Sequence, residues 1–160
     1  MSQLESISFP FRSQNYESPA EFMRDMGIQD EDDFFRTVLF YYNTYLGVKA
    51  NPRQLLIITE DNMQGGYELN DQDTSFHYLR GIATLTADLG AVRHLATIAR
   101  IDDIRDLMTH ALIFLEKFKD AVDKGWRPAI VDYDQKSITY LRMANPQHPA
   151  GFTPGIPRLQ

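Results

Sequence analysis

The stretch from Thr74 to Leu89, TSFHYLRGIATLTADL, sets the fold class. Its apolar residues Phe76, Leu79, Ile82, Ala83, Leu85 and Leu89 recur at the spacing of one helix face, which predicts a helix beginning at Asp71 or Thr74. Gly81 interrupts that helix at a cost of about 1 kcal/mol relative to alanine. Read this way, the stretch makes the chain mainly helical.

Downstream, Gly90 breaks or bends the helix, and Val92, Leu95, Ala96 and Ile98 continue as a shorter helical piece. Ile101 to Lys124 has the strongest periodicity in the chain, with Ile104, Leu107, Met108, Ala111, Leu115, Phe118 and Val122 on one face. This predicts the core helix, closed by Gly125 and with Lys117, Lys119 and Lys124 toward the negative end of its dipole. Ala129–Tyr133 and Ser137–Met143 alternate around Asp134-Gln135-Lys136 and predict a β-hairpin. Asn145 to Gln160 carries Pro146, Pro149, Pro154 and Pro157, half of the chain's eight prolines. Missing amide donors at four positions predict an extended tail there.

Upstream, Leu55 to Thr59 is short and rich in branched residues and predicts a strand. Gln64-Gly65-Gly66 turns the chain so that Tyr67 to Leu69 can return as a second short hairpin. Asp30 to Leu46 opens with four acids suited to a helix N-terminus and ends before Gly47. Phe34, Phe35, Val38, Leu39, Phe40, Tyr41, Tyr42, Tyr45 and Leu46 cover most of its circumference, which predicts a helix central to the fold or lying in an interface. Ser18-Pro19-Ala20-Glu21 is a helix-start signature, with Gly27 as the stop. Before it, Ile7, Phe9 and Phe11 alternate weakly around Pro10, as in an extended arm or edge strand docked on the body. The expected fold is therefore a mainly helical α+β domain, with four to five helices around a central helix, a C-terminal β-hairpin and a second short one. Residues 1–17 form an arm, 18–144 a single globular domain and 145–160 a proline-rich tail.

At 160 residues with 43% hydrophobic and 24% charged residues, one soluble folded domain is expected. Cysteine is absent, which removes disulfides, thiolate metal sites and a cysteine nucleophile. Met1 to Phe11 lacks the basic and apolar regions of a secretory signal. The longest apolar runs, Val38–Tyr42 and Ala111–Leu115, have five residues, against the ~20 that a membrane-spanning helix needs. A cytoplasmic protein without membrane association is expected.

The formal charge of −6 is uneven: Met1 to Asp33 holds eight acids against two arginines, and Gln135 to Gln160 holds Lys136, Arg142 and Arg158 with no acid. Such polarity suits contact with a protein partner, although charged ends that are simply solvated read the same way. The overall sign and the lack of clustered Lys and Arg disfavour direct nucleic-acid binding.

Three constellations are candidates for function. Asp102, Asp103 and Asp106 fall within a turn and a half of helix and can share a divalent metal, or can complement the helix dipole. Arg93, His94 and Arg100 can grip an anion, the two arginines being seven apart on one helix face, or can be solvated. The aromatic residues Phe34, Phe35, Tyr41, Tyr42 and Tyr45 can bind a partner together with tail residues Pro154 and Pro157, or can be plain core. The chain lacks H-E-x-x-H, G-x-G-x-x-G, the P-loop pattern and G-x-S-x-G, and no cofactor is expected. The expected function is a non-enzymatic protein-binding module, of the adaptor, chaperone or inhibitor kind, that self-associates. The alternative is a helical metal-dependent hydrolase acting on a phosphate-containing substrate.

Overall fold

Helix starts are set locally by capping side chains. The Ser18 hydroxyl accepts from Glu21 N, the Asp30 carboxylate from Asp32 N and the Asp103 carboxylate from Arg105 N, each satisfying an amide left open by the first turn. In the computed structural model, which describes residues 4–59, 66–70 and 74–141, the order begins β1 (Glu5–Ser13), α1 (Pro19–Asp25), α2 (Glu31–Lys49), β2 (Gln54–Thr59) and β3 (Gly66–Glu68). It continues β4 (Tyr78–Ala87), α3 (Gly90–Ala99), α4 (Ile104–Asp123), β5 (Arg127–Asp132) and β6 (Ser137–Tyr140). The chain is α+β. The expected proline-rich tail, with Pro154 and Pro157, lies outside the described residues.

The strands form two antiparallel sheets, a β1–β4 ribbon and a four-stranded sheet in the order β3-β2-β5-β6. In the larger sheet Leu56 and Ile58 of β2 face the core, opposite Ile130 and Pro128 of β5. β2 and β5 rest on α2 and α4, while β1 lies along α4. Thr109 of α4 donates to the Pro10 carbonyl at 2.8 Å, so the helix supports the ribbon at the residue that lacks an amide of its own. Both expected hairpins are present.

Two expectations fail for physical reasons. Tyr78 to Ala87 is a strand, not a helix, and the chain is less helical than its middle suggested. Ala83 and Leu85 are buried while Ile82, Thr84 and Thr86 are exposed, a period of two. β-branched Ile82, Thr84 and Thr86 favour that pleat over a helix, and β1 supplies the partner: Phe9 pairs with Ala83 and Ile7 with Leu85. Of the residues assigned to a buried helix face, Phe76, Leu79 and Ile82 are exposed. Helix α2 runs through Gly47 to Lys49, because the added turn buries Val48, and that gain exceeds the roughly 1 kcal/mol that glycine costs.

Candidate functional site

The aromatic residues of α2 are turned into the chain itself. Phe34 meets Phe22 of α1 edge-on, Phe35 meets Phe9 of β1, Tyr41 packs on Phe118 and Tyr45 stacks on Phe114 of α4 at 4.5 Å between centroids. With Tyr42 they are buried. The excess of apolar circumference on this helix is taken up by α1, β1, β2 and α4, so these rings are core and present no exposed docking face.

The anion and metal candidates meet in one place, and their charges oppose each other. Arg93, Arg100, Asp102 and Asp103 line an open groove of about 830 Å³ between α3 and α4. Arg93 is engaged by Glu5 through two hydrogen bonds of 2.8 Å. Asp103 accepts from Arg105 N at 2.9 Å and from Arg105 Nε at 3.2 Å, and these bonds hold its carboxyl below the usual range. Arg100 closes α3 with a left-handed backbone, φ 59°. His94 and Asp106 do not line the groove. Among the described residues, no three His, Cys, Asp or Glu side chains converge as metal ligands.

A different pocket combines enclosure with ionisable groups. A cavity of about 270 Å³ between the ribbon, β3 and α4 is lined, among the described residues, by Tyr67, Glu68, Phe76, His77, Glu116 and Asp120, together with Gln14, Leu69, Asn70 and Lys117. Glu116 and His77 are 2% and 6% exposed, and His77 Nε2 lies 3.9 Å from Glu116 Oε1. The chain reversal after β1 wraps the other carboxylate oxygen: Oε2 accepts from Asn15 N at 2.7 Å, Ser13 Oγ at 2.9 Å and Gln14 N at 3.2 Å. Burial pushes the Glu116 carboxyl above its ordinary range, against the opposing bonds from Asn15, Ser13 and Gln14.

This trio is not a nucleophilic triad. In such a triad the imidazole stands between hydroxyl and carboxylate, whereas here the carboxylate stands between Ser13 and His77. Ser13 Oγ donates to Glu116, accepts from Tyr16 N at 2.9 Å, and has no exposed surface. Its geometry fastens β1 to α4. Toward the mouth, Lys117 Nζ donates to the Asn70 carbonyl at 3.0 Å, and Lys124 pairs with Asp120 at 2.8 Å.

Beside the mouth the surface is apolar. Phe76, Tyr78, Leu79 and Ile82 are 59%, 56%, 57% and 66% exposed. The ribbon is irregular next to them: Phe11 pairs with Gly81 but Arg12 with Leu79, leaving Arg80 as an extra residue on β4. Arg80 uses that position to donate to the Ser13 and Gln14 carbonyls, each at 3.0 Å. Sequence reasoning missed this site because the helical reading put Phe76, Leu79 and Ile82 inside. It also passed over Glu116, a carboxylate four residues after Leu112 on the helix with the strongest apolar periodicity. Among the described residues, no helix is long and apolar enough to cross a membrane. Comparison with protein-family models, with curated proteins and with solved structures finds no match.

Proposed function

We propose that the chain is a non-enzymatic protein-binding module of the cytoplasm that engages its partner along β4. The observation that carries the reading is the set of large apolar side chains, Phe76, Tyr78, Leu79 and Ile82, exposed within seven positions. Large apolar side chains left exposed so close together along the chain mark interaction sites in soluble proteins. Among the described residues β4 has β1 as its sole strand neighbour, so its other edge can accept an added strand. Pairing of two such edges is the homo-oligomeric form of the same reading.

Photo-crosslinking in the native cell tests it. A photoreactive phenylalanine at position 79 or 82 is expected to give discrete adducts, and the same group at Glu31, exposed on α2, is expected to give none. Absence of adducts at 79 and 82, or an identical pattern from position 31, overturns the proposal.

A further inference from the structure

We propose that the pocket over Glu116 and His77 receives a lysine or arginine side chain from the segment that lies along β4, an inference that rests on the protein-binding reading above. The size of the cavity favours a single side chain. Its volume of about 270 Å³ falls just below the roughly 300 to 1,000 Å³ typical of sites for whole small molecules. Its walls suit a cationic head on an apolar stem, because the rings of Tyr67 and Phe76 flank it and aromatic faces attract cations.

Charge complementarity selects the occupant. Glu68, Glu116 and Asp120 line the cavity with Lys117 and His77; the Lys117 ammonium donates to Asn70 O and Asp120 is paired with Lys124, so the acidic excess rests on Glu68 and Glu116. Glu116 is nine-tenths buried and retains acceptor capacity. Oε2 takes three hydrogen bonds, whereas among the described residues Oε1 takes one long bond of 3.3 Å, from the Gln14 amide it shares with Oε2. An entering ammonium or guanidinium supplies the missing donor and a charge-assisted bond. Continuity supplies the route: Phe76 belongs both to the pocket wall and to the exposed apolar run. A segment covering Tyr78 and Leu79 therefore passes the mouth.

The probes are a peptide of the form apolar-apolar-Lys-apolar-apolar with blocked ends, its norleucine counterpart, and n-butylammonium, titrated into the full chain while amide shifts are followed by NMR. The lysine peptide is expected to bind at least about tenfold tighter than the norleucine peptide, moving amides of residues 67–70, 76–82 and 116–120. That advantage is expected to vanish in Glu116→Gln and to shrink in Glu68→Gln, whose exposed position spares the fold. Leu79→Glu is expected to weaken both peptides and leave n-butylammonium binding intact. Equal binding of the two peptides, or a lysine advantage that survives both carboxylate substitutions, overturns the pocket assignment while leaving the β4 reading standing. Pocket shifts from n-butylammonium with peptide binding insensitive to Leu79→Glu overturn it in the opposite way: the cavity then takes free amines and the β4 reading fails.

Discussion

Ser13 and Glu116, 103 positions apart, meet through a 2.9 Å hydrogen bond with both side chains buried. The same carboxylate takes the Gln14 and Asn15 amides, so one side chain on α4 satisfies three donors where the chain leaves β1. Glu116→Ala orphans them together. A buried donor without an acceptor costs about 1–3 kcal/mol, and denaturant unfolding is expected to show a loss of about 3 kcal/mol or more. Glu116→Gln keeps one acceptor oxygen and is expected to lose about 1 kcal/mol.

The raised pKa of Glu116 gives that pair of proteins different pH profiles. Burial makes the native state hold the proton more tightly than the unfolded chain does. Between the ordinary glutamate value, about 4.3, and the raised native value, the folded form binds more protons, so stability falls as pH rises. Glutamine mimics the protonated acid and does not titrate. Thermal unfolding from pH 4 to 8 is therefore expected to show wild type losing ground to Glu116→Gln as pH rises, with the difference flat beyond the native pKa. A difference that instead grows in favour of wild type with rising pH contradicts the burial-dominated carboxyl.

Residues 82 and 85 separate strand from helix in the middle of the chain. On a helix face both are core, whereas in the ribbon Ile82 faces solvent and Leu85 is 2% exposed. Ile82→Glu is expected to change stability within about 0.5 kcal/mol. Leu85→Ala, which removes a buried branched side chain, is expected to cost about 2–5 kcal/mol. Chemical denaturation of the two variants measures both.

Segments with their own signals were legible in advance. Ser18-Pro19 starts α1, the acids from Asp30 start α2, the 3.6-residue period of 104–122 makes α4, and Asp134-Gln135-Lys136 turns the last hairpin. What failed depends on partners distant in sequence. Tyr78 to Ala87 contains apolar residues compatible with two periods, and the choice is made by β1, some 70 residues earlier. The rings of α2 looked surplus because their neighbours Phe9, Phe22, Phe114 and Phe118 lie on three other elements. Glu116 becomes a candidate site residue once the backbone of 13–15 and the imidazole of His77 are beside it, an arrangement without a local signature.

A second ionic junction ties α1 to α4. Lys119 Nζ reaches Asp25 at 2.8 Å and also Asp123, and Asp25 accepts the Tyr16 hydroxyl. The bond from Lys119, then that from Tyr16, holds the Asp25 carboxyl below its ordinary range. Desolvation opposes the Lys119 charge, but its bonds to Asp123 and Asp25 outweigh it and raise the ammonium pKa. Lys119→Met keeps the apolar stem and removes the charge. Because the two aspartates are more than half exposed, solvent screening holds the expected loss at pH 7 to about 1 kcal/mol. A lowered carboxyl stabilises above its unfolded pKa, about 3.9, and that contribution disappears as pH falls through the lower native value. The gap between wild type and Lys119→Met is therefore expected to be constant from pH 6 to 9 and to close on acidification below about pH 4, as read by urea unfolding at each pH. A gap that persists undiminished in acid means that it does not arise from the Asp25 carboxylate, and the ion pair contributes nothing.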